Sequence, residues 1–316
     1  MTEKAHVLLL FNEAEKYVKL FSVADTAFYT LSSSFNPSSI DAIIIFHSRD
    51  LKKINPRNFN NLKLIKTLTA GTDHIKDFWK ERYAVVGTHG PNAKFIAEHA
   101  LALSLACSRK LVFHTQSMKK GGFHQTDIQH VTLFKSNVLI LGFGPIGRYT
   151  AGLFKRTFNT YITVFKKNPE IPHLYGKIVN HFITDFAKLL KKLSDFNVIV
   201  NTLPLTPQTE NLLSSDFFSQ LRNNAIVVNV SRGKVISEEC LFNFLKENKN
   251  ACAGIDVWYK YPKEKELFKQ NFPFENLDNV VMTPHNAPLV KGYFYNMVKA
   301  AMLQVKWDLK KIGERP

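Results

Sequence analysis

Short apolar runs of four to seven residues alternate along the chain with longer segments in which apolar residues recur at helical spacing. The runs are rich in Val, Ile and Leu, and their length is typical of strands that are buried on both faces. They are Val7–Phe11, Ala42–Phe46, Leu62–Leu68, Val85–Thr88, Val138–Leu141, Tyr161–Phe165, Val198–Thr202, Ala225–Val230, Ala251–Val257 and Val280–Thr283. Strands that alternate with helices indicate an α/β fold with parallel sheets.

The helical segments divide the strands into two groups. Helices are predicted between the later strands at Ile146–Phe158, Asp185–Leu193 and Glu238–Glu247. Thr184 and Ser237 are the expected N-caps of the last two. A long apolar stretch, Ala93–Val112, follows the first strand group and predicts one tightly packed helix, and the tail Val290–Ile312 is helical and amphipathic. This pattern predicts two α/β domains bridged by helices, which suits 316 residues at roughly 150 per domain.

Composition narrows the class of protein. With 45% hydrophobic and 22% charged residues, the chain reads as an ordinary soluble globular protein. Its cysteines, Cys107, Cys240 and Cys252, are far apart in sequence, which excludes a disulfide framework and a cysteine-based zinc site and fits a reducing cytoplasm. Neither a signal peptide nor a run of ~18 apolar residues that would span a bilayer is present in the sequence. We therefore expect a cytoplasmic protein with no membrane partner and no metal.

The net charge of +16 is less ordinary, and its distribution is uneven. Residues 101–200 carry 14 basic and 4 acidic residues, a net charge of +10, whereas the segments on either side carry +3 each. Such an excess suggests an anionic partner. No helix-turn-helix, basic tail or RNA-binding signature accompanies it, so we do not expect nucleic-acid binding.

The basic segment contains a glycine-rich turn in a specific context. The strand pattern at Asn137–Leu141 runs into this turn, and a helix pattern follows it. The turn consists of Gly142, Phe143, Gly144, Pro145, Ile146 and Gly147. In G-x-G-x-x-G, the first glycine makes the tight turn, the second lets the backbone approach a pyrophosphate, and the third lets the helix pack on the strand. The pyrophosphate then lies at the helix N-terminus, where the helix dipole favours an anion. The turn predicts a dinucleotide site.

The second strand of this unit indicates which dinucleotide binds. An NAD site carries an acidic residue about 20 residues after the turn, which binds the ribose 2′-hydroxyl. Here Tyr161–Phe165 is followed by Lys166 and Lys167. Two cations attract a 2′-phosphate and lack the carboxylate that binds the hydroxyl. The sequence therefore favours NADP, with NAD as the alternative.

Four further motifs follow, each at the end of a predicted strand, and open α/β sheets bind their ligands at that edge. They are Asn201–Glu210 (NTLPLTPQTE), Asn229–Lys234 (NVSRGK), Ala253–Val257 (AGIDV) and Thr283–His285 (TPH). With these residues in view, the chain resembles the NAD(P)-dependent D-2-hydroxyacid dehydrogenases over nearly its whole length. The N-terminal half adds Ala70–His74, similar to the family's substrate-carboxylate loop, and Ala97–Ala100, similar to its interdomain helix.

The resemblance implies a role for each matching position. Arg232 would clamp the substrate carboxylate and polarise the carbonyl, and His285 would be the general acid/base. Asp256 would hold the nicotinamide carboxamide. The substrate-binding residues would be Ala70, Gly71 and Thr72, and the remaining cofactor contacts would be Leu203, Pro204 and Val230. His47, which follows a predicted strand, either faces the cleft or has a structural role.

The chain departs from the family pattern at one position. Tyr261 stands where the family has a glutamate that pairs with the histidine and keeps it protonated. A phenol is neutral at pH 7 and supplies no counter-charge. Three interpretations remain open: an active enzyme with a less basic His285, replacement of the glutamate by Glu264 or Glu266, and loss of most of the activity.

The resemblance implies a Rossmann cofactor domain (residues 93–286) inserted into a flavodoxin-like substrate domain (1–92 and 287–316), both with doubly wound parallel sheets. It also implies a homodimer. The expected function is an NADP(H)-dependent 2-oxoacid reductase similar to glyoxylate and hydroxypyruvate reductases. The alternative is a catalytically weak NAD(P)H-binding regulator or scaffold on the same fold. The sequence does not name the 2-oxo acid.

Overall fold

The chain divides into two compact units. The computed structural model describes residues 4–126, 128–167 and 175–314. Unit 1 comprises Met1–Asn92 and Val290–Pro316, and unit 2 comprises Ala93–Leu289, so unit 2 is inserted in sequence between the two parts of unit 1.

Unit 1 is built on a five-stranded parallel sheet with the strand order β2-β1-β3-β4-β5, the flavodoxin-like arrangement. The strands are β1 (Ala5–Leu9), β2 (Thr26–Tyr29), β3 (Ala42–Ile45), β4 (Leu64–Thr67) and β5 (Ala84–Gly87). The helices are α1 (Ala14–Leu20), α2 (Asp77–Lys80) and the last helix of the chain, α9 (Tyr293–Gly313). Short 3₁₀ turns lie at Pro37–Ser39, Ser48–Lys53 and Pro56–Asn58.

Unit 2 is built on a seven-stranded parallel sheet with the order β12-β11-β10-β9-β6-β7-β8. Its strands are β6 (Asn137–Leu141), β7 (Tyr161–Phe165), β8 (His181–Ile183), β9 (Val198–Asn201), β10 (Ile226–Asn229), β11 (Cys252–Ile255) and β12 (Val280–Met282). Its helices are α3 (Ala93–Ser108), α4 (Leu111–Lys119), α5 (Pro145–Phe158), α6 (Phe186–Leu190), α7 (Ser215–Phe218) and α8 (Glu238–Glu247). The order reverses at β6, as in the Rossmann arrangement.

The apolar runs read as continuous because each sheet is covered on both faces. In β1, Val7 and Leu9 pack into one core with residues of α9, whereas Leu8 packs into a second core on the other face of the sheet. In β6, Val138 and Leu139 likewise belong to different cores. Successive side chains of a strand point to opposite faces, so a strand that is buried on both sides needs apolar residues at every position.

In the described residues, the structure differs from the sequence prediction at two strands and within one predicted helix. β2 and β8 were not predicted; both lie at sheet edges, where half-exposed residues leave no continuous apolar run. The predicted helix Ala93–Val112 is wrong as a single element, because α3 ends at Ser108 and Lys110 adopts the left-handed conformation before α4 begins.

One predicted cap is also wrong. Thr184 does not cap α6: the neighbouring Asp185 accepts the backbone N–H groups of Ala187 and Lys188 instead. Ser237 does cap α8, accepting from the N–H of Cys240. None of the helices in the described part of the chain has the length and apolar character that a bilayer crossing requires.

Candidate functional site

The glycine-rich turn joins β6 to α5 at the point where the strand order of unit 2 reverses. Gly142 has φ 92°, a conformation that L side chains rarely adopt. A Cβ on Gly147 would lie 2.3 Å from the carbonyl oxygen of Gly142, so this position accepts only glycine. A Cβ on Gly144 would meet nothing within 4 Å, so the turn is open on that side. The three glycines therefore fit the three tasks of a dinucleotide turn, and α5 begins within this turn at Pro145.

Two asparagines connect the loops that follow β9 and β10. The side-chain amide of Asn201 donates to the side-chain oxygen of Asn229 at 3.0 Å, and both residues are buried. The Asn201 Oδ1 accepts the N–H of Leu203 at 3.1 Å, and the Asn229 amide donates to the carbonyl of Arg232 at 3.1 Å. The hydroxyl of Ser231 donates to the carbonyl of Leu203 and closes the link. The segments with Leu203, Pro204 and Val230 are thus held together beside the glycine turn.

The two lysines lie at the end of β7. The Lys166 backbone N–H donates to the carbonyl of Ile183, the last residue of β8, and Lys167 is exposed. The Lys166 ammonium lies 5.8 Å from the ring centre of Phe182. Phe182 packs edge-on against Phe143 of the glycine turn, with 5.5 Å between ring centres.

Arg148, in the first turn of α5, contacts the same aromatic cluster. Its Nε donates to the carbonyl of Phe143 at 3.0 Å. Its guanidinium carbon lies 5.5 Å from the ring centre of Tyr175, which packs edge-on against Phe143 at 5.1 Å. Arg148 and Lys166 therefore contact one aromatic cluster, so the structure brings a further cation to the end of β7.

The loop that carries Arg232 packs closely against the loop that follows β11. A Cβ on the adjacent Gly233 would lie 2.5 Å from the carbonyl of Trp258, so only glycine allows the two backbones to approach this closely. Arg232 is half-buried, and its Nη1 donates to the carbonyl of Ser231 at 2.9 Å. The guanidinium is thus held in place beside the loop after β11.

Trp258 in turn holds the segment that carries His285. Its indole N–H donates to the carbonyl of Thr283 at 2.9 Å, and its backbone N–H donates to the Tyr261 hydroxyl oxygen at 3.0 Å. The Tyr261 ring faces the His285 ring, with 5.2 Å between their centres. The structure therefore brings Tyr261 and His285 together and connects both, through Trp258, to the loop with Arg232.

Asp256 is almost fully buried. Its carboxylate accepts three hydrogen bonds from its own unit, and an imidazole of the same unit lies close to it. Its Oδ1 accepts the Thr283 hydroxyl at 2.6 Å and the Asn286 N–H at 3.0 Å, and its Oδ2 accepts the Ala287 N–H at 3.2 Å. His99 Nε2, on α3, lies 3.5 Å from Oδ1. Burial by itself would raise the pKa of this carboxyl, but these donors outweigh burial and hold the pKa below its usual value.

The predicted substrate loop follows β4 in unit 1. The carbonyl of Ala70 lies so close to Gly87 that a Cβ there would be 2.0 Å away. The Thr69 hydroxyl donates to the carbonyl of Gly71 at 3.0 Å and fixes the turn. Within residues 4–126, neither the Gly71 nor the Thr72 N–H donates to a protein acceptor, so both are available to an anion.

A cavity of about 670 Å³ lies in unit 1 at the same edge of the sheet, next to the reversal of strand order at β1 and β3. Its lining includes Phe46, His47 and Arg49. Burial and the charge of Arg49 lower the pKa of His47, despite the opposing effect of Asp50. No group of three or more His, Cys, Asp or Glu side chains in the described ranges is placed to hold a metal ion.

Sequence reasoning missed several residues that organise this site. Trp258, Thr283, Asn201 and Asn229 were not among the predicted site residues. The asparagines did carry a signal, because each ends a strand whose other residues are apolar, and a buried amide at such a place needs partners. No sequence signal distinguished Trp258 from a packing aromatic.

Known proteins match both the sequence and the fold. The family model of the D-isomer specific 2-hydroxyacid dehydrogenase, NAD binding domain, matches residues 101–287. The D-3-phosphoglycerate dehydrogenase of Methanocaldococcus jannaschii is 30% identical over 253 residues, which cover 79% of this chain but only 45% of that relative. The glyoxylate reductase/hydroxypyruvate reductase of Mus musculus is 32% identical over 230 residues, which cover 71% of this chain and 67% of that relative.

Among solved structures, an acyclic imino acid reductase (Bsp5) in complex with NADPH and D-Arg has the same fold. The TM-score is 0.72 at 20% identity, and the match covers 97% of each chain.

Proposed function

Because the chain belongs to the family of D-isomer specific 2-hydroxyacid dehydrogenases, we propose that it transfers a hydride between NADP(H) and a small 2-oxo or 2-hydroxy acid. The observation that carries this proposal is the pair Arg232 and His285, held on loops connected through Trp258 in the unit that contains the glycine turn. In this assignment unit 2 is the cofactor domain and unit 1 the substrate domain. The Mus musculus relative, of which the chain covers 67%, favours glyoxylate and hydroxypyruvate as substrates over the 3-phosphoglycerate of the Methanocaldococcus jannaschii relative, of which it covers 45%.

The residues of the chain divide the chemical work between them. Bound NADPH supplies the hydride from the nicotinamide. Protonated His285 donates a proton to the substrate oxygen as the carbonyl becomes an alkoxide. The Arg232 guanidinium neutralises the substrate carboxylate and stabilises the charge on that oxygen. The N–H groups of Gly71 and Thr72 also bind the carboxylate, and Asp256 Oδ2, which accepts one bond from Ala287, has capacity for the carboxamide.

NADP is proposed as the preferred cofactor because two lysines end β7 and an arginine contacts the same aromatic cluster as the first of them. Lys166 and Lys167 end β7 where an NAD site has a carboxylate, and Arg148 contacts the same aromatic cluster as Lys166. The hydrogen bond from Arg148 to Phe143 uses Nε, so the Nη groups of Arg148 can form the bidentate contact that suits a phosphate. NAD is the alternative.

Tyr261 favours a second candidate, a catalytically weak NAD(P)H-binding regulator or scaffold. Its ring lies against His285, and its hydroxyl oxygen is bonded to the Trp258 N–H, so the residue brings contact but no negative charge. Glu266 accepts the N–H of Lys263 in a local turn. We propose an active enzyme with a less basic His285.

Cofactor oxidation by the intact protein tests both candidates. NADPH and NADH are offered with glyoxylate, hydroxypyruvate, pyruvate and bulkier 2-oxo acids. We expect turnover of at least one small 2-oxo acid with NADPH, at a higher kcat/KM than with NADH. If every acid fails with both cofactors while NADPH still binds, the regulator replaces the enzyme as the proposed function.

The cofactor preference is tested by removing the lysine pair. Lys166→Ser/Lys167→Ser should weaken NADPH binding about tenfold or more and leave NADH binding nearly unchanged, because only the 2′-phosphate loses its charge-assisted contacts. Lys191→Ser/Lys192→Ser removes the same charge from another exposed pair and serves as the control. Equal effects of the two double variants on NADPH affinity would withdraw the assignment.

The remaining assignments concern assembly and location. We propose a homodimer that uses the region of α3 and α4, where large apolar side chains such as Leu111 and Met118 are exposed at 51% and 61%. We also propose a cytoplasmic location, because the three cysteines are free thiols.

A further inference from the structure

The segment that carries His285 adopts an unfavourable backbone conformation. His285 has φ 58°, in the left-handed region that residues other than glycine enter at a cost of about 1 kcal/mol or more. Such a conformation persists only where the residues on either side are held by their surroundings. Here Thr283 precedes His285, and Asn286 and Ala287 follow it, and all three donate to the carboxylate of Asp256. Asp256 thus holds the segment on both sides of the histidine.

The carboxylate that does this is itself 1% exposed, so it needs donors that compensate its charge. Two backbone N–H groups and one hydroxyl come from the segment itself. The fourth group is the imidazole of His99, which belongs to a different element, α3. Its Nε2 lies 3.1 Å from the Thr283 hydroxyl oxygen and 3.5 Å from Asp256 Oδ1.

The proton positions in this network follow from the distances. At 2.6 Å, the bond between the Thr283 hydroxyl and Asp256 is short, as expected when a hydroxyl donates to a carboxylate. With its proton committed to the carboxylate, the Thr283 oxygen can only accept from His99. His99 therefore carries a proton on Nε2, and the donors run from His99 to Thr283 to Asp256.

We propose that His99 is a positioning residue for His285, acting through Thr283 and Asp256 to hold the segment 283–287 in its left-handed turn. The role of His285 in catalysis rests on the proposed function. The network of His99, Thr283 and Asp256 that holds the segment, here called the clamp, is a property of the fold of unit 2. Loss of the His99 donor leaves Thr283 with an unmet acceptor and weakens the hold on the buried carboxylate. The segment then samples other backbone conformations, and His285 is misplaced for part of the time.

Two substitutions of His99 separate this role from packing. His99→Phe keeps a ring of similar size and removes the donor, and His99→Gln keeps a donor of similar reach. We expect His99→Phe to lower kcat about tenfold while the Kd for NADPH changes less than twofold, and His99→Gln to recover kcat to within about threefold of wild type. Glu98→Gln, at an exposed neighbouring position on α3, is the control.

A second readout does not depend on turnover. Amide hydrogen exchange in peptides that cover residues 283–289 reports the bonds from Asn286 and Ala287 to Asp256. We expect faster exchange there, by about tenfold, in His99→Phe but not in His99→Gln. Thr283→Val removes the relaying hydroxyl at nearly constant volume, and should give the same increase, with no further increase when it is combined with His99→Phe.

The outcomes decide between the possibilities. Unchanged amide exchange in both His99→Phe and Thr283→Val overturns the clamp. It is also overturned if His99→Gln loses as much kcat and exchange protection as His99→Phe, because His99 would then contribute packing only. If the wild-type protein turns over no substrate, the proposed function fails while the exchange experiment still decides the clamp. Faster exchange with an unchanged kcat in an active enzyme retains the clamp and removes its role in positioning His285.

Discussion

At the scale of single residues, the contact between Tyr261 and His285 bears most directly on the proposed chemistry. The phenol ring lies against His285, and its oxygen is tied to the backbone of Trp258. This contact places a neutral ring beside the histidine and supplies no negative charge that would stabilise imidazolium.

Substitution of Tyr261 tests how a neutral or an acidic neighbour of His285 affects the pH dependence of reduction. In the proposed mechanism reduction needs protonated His285, so its rate should fall as pH rises through the pKa of that histidine. A carboxylate in contact favours imidazolium and raises the pKa, by about one unit or more. In Tyr261→Glu, the fall in kcat/KM for reduction should therefore move to higher pH by about that amount. Tyr261→Phe, which keeps the ring, should leave the profile in place. A profile unchanged by both substitutions would remove Tyr261 from the mechanism.

At the scale of elements, the strands were predicted better than the ends of the helices. A helix end depends on which nearby side chain reaches the first backbone N–H groups, and neighbouring residues of similar type compete for this role. At α6, Thr184 and Asp185 both suit the cap, and the backbone places the Asp185 carboxylate in contact with Ala187 and Lys188, at 2.8 and 3.2 Å.

The two candidate caps of α6 provide a matched pair of variants. Asp185→Ala should lower the free energy of unfolding of unit 2 by about 1 kcal/mol, because two N–H groups of the first turn lose their acceptor. Thr184→Ala should change it by less than about 0.5 kcal/mol. Urea titration of both variants measures the difference. An effect of Thr184→Ala as large as that of Asp185→Ala would contradict the assignment of the cap.

At the scale of the molecule, unit 1 is assembled from the two ends of the chain. A buried ion pair connects them: the ammonium of Lys66, in the middle of β4, lies 2.6 Å from the carboxylate of Asp308 on α9 and also donates to the carbonyl of Gly87. Lys66 is wholly buried. Burial lowers its pKa, and the hydrogen bond and charge of Asp308 oppose that effect. The pair allows α9 to pack on a sheet strand that contains a lysine.

Breaking this pair should destabilise unit 1 strongly. Asp308→Asn leaves a buried ammonium without its counter-charge, and we expect a loss of about 3–5 kcal/mol in the free energy of unfolding. Lys66→Met/Asp308→Leu removes both charges and should recover most of the loss. Tryptophan fluorescence in urea follows unit 1 through Trp79 and Trp307, whereas Trp258 reports on unit 2. Glu314→Gln breaks an exposed pair on α9 with Lys310 and should cost less than about 1 kcal/mol. A loss of similar size in both single variants would show that burial of the Lys66 pair is unimportant.

The sequence by itself determined the strands that are buried on both faces and the glycine turn, because each of these requires particular residue types. Ten of the twelve strands in the described residues were predicted, because a strand buried on both faces requires an unbroken apolar run. The glycine turn was recognisable because its backbone geometry tolerates no other residue at Gly142 and Gly147. The fold class and the family resemblance followed from these local requirements.

Only the tertiary structure decided which polar residues meet. The partners of Asp256 and Lys66 are distant in sequence: the bond between Lys66 and Asp308 spans 242 positions. The two edge strands were found only in the fold, because their residues are half-exposed and their pairing depends on a neighbour. Hydrophobic periodicity is a local property, whereas the partners of a buried charge are set by the packing of elements, and this is where the site and its supporting network arise.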